Sequence, residues 1–196
     1  MRRPILLCLL ALVPALVAAL GAKSYDVARI RTPDGEILVL LSDSAPKHKA
    51  GFMKLVNQHY FDTLTLNRVV PNFVAQGGCP DTKAGFKDTT YLLAPEFTPY
   101  LRHVKGAFAA GRDDNPGQMS AICQFYIVTN PKGEKRLDDH YTVYGQVIEG
   151  MDVVERIQAL PQNAKTNEPD TPVTLKIEMI QMTAQQLKAL GVVVLE

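Results

Sequence analysis

The sequence contains no tryptophan, only three cysteines and only four histidines in 196 residues. It also lacks an excess of either charge. Lys and Arg number 21 against 20 Asp and Glu, a formal net charge of +1. Nucleic-acid binders normally carry a basic surplus, so that class is disfavoured from the outset, and no run of like charges suits an anionic membrane surface. His48, His59, His103 and His140 form no metal-spaced cluster, and each reads as a solvated surface residue. There is no G-x-S-x-G elbow and no Walker loop. Asp113-Asp114 and Asp138-Asp139 read as loop carboxylates, not as an acid/base pair. Hydrolase, redox and nucleotide chemistry therefore have no motif to stand on. Compositional bias is missing too: 46% hydrophobic and 21% charged residues exclude disorder and collagen-like structure. The length fits one domain.

The amino terminus has its own character. Met1-Arg2-Arg3 is a positive start, Ile5 to Leu20 is an uncharged apolar run, and the small residues Gly21 and Ala22 precede polar Lys23-Ser24-Tyr25-Asp26. This is the layout of a secretory signal peptide, in a run shorter than the ~20 residues that span a bilayer as a helix. The expected division is a signal over 1–22 and one domain over 23–196, with an uncleaved anchor as the alternative. The expected destination is export, to the periplasm. Cys8 would leave with the signal, so Cys79 and Cys123 remain. In an oxidising compartment they form either a disulfide or two buried thiols, and spacing alone leaves both open.

Strand patterns dominate the rest. Tyr25 to Arg31 and Glu36 to Leu41 flank the turn Thr32-Pro33-Asp34-Gly35. Leu64 to Val70, Phe73 to Gln76, Gly106 to Gly111, Phe125 to Thr129 and Tyr141 to Ile148 are further candidates. In Val173 to Met179 apolar and polar residues alternate strictly, the period of a strand with one buried face. Eight short strands point to a mainly β protein, a closed barrel or a sandwich. Ala45 to Asn57 reads as a helix with Ser44 as its cap and Pro46 in its first turn. Met151 to Leu160 reads as a second, and Thr183 to Leu190 as a possible third.

One segment stands apart, read either as a site or as a solvated edge arginine beside a core phenylalanine. Asn67-Arg68-Val69-Val70-Pro71-Asn72-Phe73-Val74-Ala75-Gln76-Gly77-Gly78 places a guanidinium, an aromatic ring and a carboxamide close together. Strict alternation would put Phe73 and Gln76 on opposite faces, so a site shared by both needs a bend or bulge.

This segment resembles the cyclophilin signature, close to F-H-R-x-I-x-x-F-x-x-Q-G-G. Ser42-Asp43-Ser44-Ala45-Pro46, Gln124-Phe125-Tyr126-Ile127, Leu137 to Gly145 and Val147 to Val154 resemble further blocks of the family in the family's order. The resemblance implies a closed eight-stranded antiparallel barrel capped by two helices. It implies peptidyl-prolyl cis/trans isomerase activity with no cofactor and no metal. Arg68 would be the catalytic donor. Phe73, Gln76, Gln124, Tyr126, Leu137 and Tyr141 would bind substrate. Partners would be proline-containing peptides and unfolded exported clients, met by a monomer. Asn67, Asn72 and Val74 depart from the family's usual His, Gly and Met, and Tyr126 and Tyr141 stand where many eukaryotic members have Phe and His. Gly111 to Cys123 is a couple of residues longer than the common form, with Arg112 near a peptide-contacting Asn. Arg136 is the nearest counterpart of the Trp associated with cyclosporin binding, so weak cyclosporin affinity is expected. The altered loop and missing Trp also motivate an alternative, a non-catalytic proline-peptide-binding or chaperone module on the same fold.

Overall fold

The computed structural model describes residues 23–79 and 92–193; the signal-like segment 1–22 lies outside them. Ten strands alternate with three helices: β1 (Ser24–Thr32), β2 (Gly35–Leu41), α1 (Pro46–Asn57), β3 (Thr65–Val70), β4 (Val74–Gly78), β5 (Leu92–Leu93), β6 (Ala107–Gly111), β7 (Ser120–Val128), β8 (Val143–Glu149), α2 (Met151–Gln158), β9 (Val173–Thr174), β10 (Lys176–Thr183) and α3 (Ala184–Ala189). All eight expected strands are present. The count rises to ten because β5 is added and the last expected strand divides at Leu175.

The sheet order is β10-β1-β2-β8-β6-β7-β4-β3-β9, every pair antiparallel, with β5 on β7. Its two ends, β9 and β10, are separated in the chain by Leu175 alone. Leu175 N donates to Leu64 O at 3.0 Å, so one buried residue hands the chain from β3's side to β1's side and closes the barrel. Every long strand except β10, which pairs with β1 alone, has a strand partner on both edges.

Alternation along the strands sorts two cores. In β7, Cys123, Phe125 and Ile127 face the barrel interior, while Tyr126 and Val128 join an outer cluster with Val74, Ala107, Ala109, Leu137 and Val143. Inside, Phe52 of α1 meets the rings of Phe61, Phe108, Phe125 and Tyr144 at centroid distances of 5.3, 5.3, 6.2 and 5.8 Å. Such tilted and edge contacts suit aromatic quadrupoles. α2 adds Val153, Val154 and Ile157 to the same interior. α3 packs Leu187 against Val27 and Leu38 on the outer face of β1 and β2. Its N-terminus is a capping box formed by Thr183 and Gln186.

The cap of α1 differs from the expectation. Ala45, not Ser44, is the N-cap residue and offers no side-chain bond. Instead the Glu96 carboxylate, brought in from far along the chain, accepts the N–H groups of Lys47 (3.0 Å) and His48 (2.9 Å). It also accepts from His48 Nδ1 at 2.7 Å. His48 is therefore fully buried, not solvated; desolvation holds its pKa below the ordinary value despite the opposing pull of Glu96. His103 is likewise buried, whereas His59 and His140 are exposed as expected.

Candidate active site

The site is built on the outward faces of β3, β4 and β7. Leu66 and Val69 both point into the core although they stand three positions apart, which regular alternation forbids. A bulge resolves this: Leu66 pairs with Gly77 but Arg68 pairs with Gln76, so Asn67 is the extra residue. Asn67 Nδ2 donates to Gly78 O at 3.2 Å across the bulge. Arg68 is thereby turned outward beside Gln76, and its Nη1 donates to Gln76 Oε1 at 3.3 Å.

Phe73 reaches the same side by a different device. It is not part of β4; it closes the turn that follows Val70, where Phe73 N donates to Val70 O at 3.1 Å. Asn72 takes the left-handed conformation there, φ 56°, which Asn tolerates better than most residues. The bend that a shared site required is thus a bulge before the turn and a left-handed residue within it.

Gln124 sits at a second irregularity. Ala110 pairs with Phe125, but Gly111 pairs with Ala121, so Ile122, Cys123 and Gln124 bow out of the β6–β7 ladder. β4 takes up the slack, Gly78 pairing with Gln124, and the Cys79–Cys123 disulfide pins the bow (Cα–Cα 5.4 Å). The pair left open by spacing is therefore bridged. Gln124 Nε2 donates to Cys79 O at 3.1 Å. A Cβ on Gly111 would collide with the Gln124 carboxamide, so glycine is what lets Gln124 lie here.

Arg68, Phe73, Gln76, Gln124, Tyr126, Leu137 and Tyr141, the seven residues singled out in the sequence, line one groove of about 270 Å³. Val74, Gly111, Arg112 and Arg136 complete it. The last two were noted only as departures from a pattern. The Arg112 guanidinium lies 4.6 Å from the Tyr141 ring centroid, and that of Arg136 lies 4.7 Å from the Phe73 ring. Arg68 is 5.8 Å from the same Phe73 ring. Tyr126 and Tyr141 meet edge to face at 6.1 Å.

Behind the groove, Asp138 accepts from His103 N (2.9 Å) and pairs with its Nδ1 (2.8 Å), while His103 Nε2 lies 2.9 Å from the Tyr126 hydroxyl. Burial lowers the pKa of His103 against the opposing pull of Asp138, and burial raises that of Tyr126 well above its ordinary value. Both groups are neutral near pH 7. With Asp138 accepting the Nδ1 proton, Nε2 accepts from the tyrosine.

Fold and groove together define a closed β-barrel with a cationic, aromatic-walled cleft on its outer face. Residues 27–181 match the family model of the cyclophilin-type peptidyl-prolyl cis-trans isomerases. A peptidyl-prolyl cis-trans isomerase of Acinetobacter baylyi is 31% identical over 167 residues, covering 82% of this chain and 88% of that one. The peptidyl-prolyl cis-trans isomerase B of Bacillus subtilis is 34% identical over 119 residues, 60% of this chain and 79% of its own. A cyclophilin-type isomerase of Cryptosporidium parvum superposes with a TM-score of 0.70 at 21% identity, covering 80% of this chain and 98% of that one, a likeness of fold. The chain belongs to the cyclophilin-type peptidyl-prolyl cis-trans isomerase family, enzymes that need no cofactor.

Proposed function

We propose that this isomerase rotates X-Pro bonds in exported proteins and so assists their folding, with Arg68 as its catalytic donor. Rotation destroys amide resonance, a barrier on the order of 18–20 kcal/mol, and leaves uncatalysed exchange at tens to hundreds of seconds. At the twisted geometry the prolyl nitrogen gains lone-pair character and accepts a hydrogen bond it could not accept when planar. A fixed cationic donor therefore favours the transition state over the ground state, which is the requirement for catalysis. The observation that carries the assignment is Arg68 turned outward by the bulge and tethered by Gln76. Phe73, Tyr126, Leu137 and Tyr141 offer apolar walls for the proline ring, and Gln76 and Gln124 offer amides to the peptide backbone. Nothing in this scheme moves a proton or forms a covalent bond.

The signal-like segment 1–22 and the Cys79–Cys123 disulfide both support an exported, periplasmic protein acting on unfolded clients. A monomer is supported by the surface, where only Tyr100, Val104 and Val193 are large exposed apolar residues among those described.

The test is a coupled isomerisation assay on a short X-Pro peptide with wild type and Arg68→Ala. The expected result is acceleration by the wild type and a loss of about 10²–10³ in kcat/KM in the variant. Peptide binding without acceleration by either protein would overturn the catalytic assignment.

A further inference from the structure

Resting on the isomerase reading, we propose that the groove selects prolines flanked by a carboxylate, an Asp or Glu side chain next to the proline in the client. The chain as a whole is almost neutral, yet the groove is lined by three guanidiniums, Arg68, Arg112 and Arg136, and by no acidic residue among those described. Two of them approach one ring: Arg68 at 5.8 Å and Arg136 at 4.7 Å from the Phe73 centroid. The third lies over Tyr141. Like charges gathered round one cleft repel, and a ring quadrupole offsets this only in part. An anionic ligand relieves the repulsion.

The neighbouring carboxylates supply that relief only in part, through Glu134 on Arg136. Asp138 is engaged by His103, Asp139 by Arg102 at 3.0 Å, and Asp113 by Asn115 at 2.9 Å. Glu134 takes Arg136 Nε at 3.0 Å while also accepting from Asn130, which leaves the Nη atoms of Arg136 unpaired among the described residues. Arg112 spends Nε and Nη1 on the backbone carbonyls of His140 and Asp113, and makes no ion pair among the described residues. Arg136 thus keeps both Nη atoms, and Arg112 its Nη2, as donors for a carboxylate, which arginine's planar fork engages better than lysine's point charge. Arg68 is reserved by its role at the prolyl nitrogen, so Arg112 and Arg136 are the specificity-determining pair.

The experiment measures exchange rates by NMR, and dissociation constants by calorimetry, for amidated peptides with Glu, Gln or Lys directly before or after one proline. A free-acid Gln peptide separates side-chain from terminal carboxylates. The expected order is Glu over Gln over Lys, with Glu favoured about three- to tenfold in kcat/KM at low salt and the preference shrinking at 0.5 M salt. In Arg112→Gln/Arg136→Gln the Glu-to-Gln ratio falls towards one. Exchange that is catalysed equally for Glu and Gln overturns the selectivity and leaves the isomerase assignment standing. A gain confined to the free-acid peptide overturns the side-chain assignment. If no peptide is exchanged, the isomerase reading falls, and dissociation constants equal for Glu and Gln then overturn the charge recognition as well.

Discussion

The Tyr126 hydroxyl and His103 Nε2 lie 2.9 Å apart, joining a wall of the substrate groove to a buried imidazole held by Asp138. The hydroxyl is a polar group on an otherwise apolar wall. Its proton satisfies an imidazole nitrogen that would otherwise be stranded away from water. Removing it in Tyr126→Phe leaves the ring but orphans Nε2. The expected cost is about 1–3 kcal/mol of stability, read from urea midpoints, with isomerisation retained. An unchanged midpoint would mean that the bond carries no net stability.

Acid should weaken the fold in two stages. His48 and His103 both titrate below the ordinary value of 6.5 when folded, chiefly because burial disfavours their charged forms. The unfolded chain then binds more protons than the folded one just below pH 6.5. Stability is thus fully present above that pH and falls as pH drops towards the folded-state values. Burial works against ionisation of Glu96 and Asp138, but hydrogen bonds from the two histidines and the backbone outweigh it and leave both pKa values lowered. Their contribution is present above their ordinary values of 4.5 and 3.8 and is lost as pH falls below them. Urea midpoints should be flat from pH 7 to 8 and decline below 6.5; a flat profile down to pH 5 would contradict this. Since no titrating group carries the proposed chemistry, kcat/KM should change little between about pH 6 and 8.

The disulfide closes a loop with a sequence separation of 44. Cys79→Ser/Cys123→Ser is expected to lose about 3–4 kcal/mol, by chain-entropy reasoning. Because the bridge pins the bow that carries Gln124, KM should rise as well. A thermal melt with and without reductant, beside the double variant, checks both.

Gly111→Ala tests that bow from the other side. Its methyl group would occupy the place of the Gln124 carboxamide. The expected outcome is a fall in kcat/KM on the order of ten- to a hundredfold from misplaced substrate contacts, appearing mainly in KM. Rescue by Gln124→Ala in the same chain would not restore activity, though it would restore stability.

Cyclosporin should bind weakly, since the chain contains no Trp and Arg136 stands over Phe73 in its place. A low-nanomolar dissociation constant by calorimetry would contradict that expectation.

The strands were readable because their signals are local. Alternation in Val173 to Met179 and the turn Thr32-Pro33-Asp34-Gly35 need no knowledge of the rest of the chain. The groove residues came from motif resemblance, and spacing alone argued against them by setting Phe73 and Gln76 on opposite faces. What local pattern could not supply was the irregular backbone: the extra residue at Asn67, the left-handed Asn72 and the bow at Ile122 to Gln124. The histidines failed for a related reason. His48 and His103 are buried by carboxylates distant in sequence, Glu96 and Asp138, and no window of residues reveals such a partner. Arg112 and Arg136 looked like losses of family residues until their guanidiniums were seen lying on Tyr141 and Phe73.

The single-residue join at Leu175 has a kinetic corollary. β1 begins at Ser24, and its partner across the seam is Thr183, so the first strand waits for nearly the last one. Bringing together segments so far apart costs loop entropy before any contact rewards it, and folding dominated by such pairings is slow. A ribosome must release the chain through Thr183 before the barrel can shut. Until then β1, paired on one side with β2, exposes its other edge, and the isomerase is held open by its own topology.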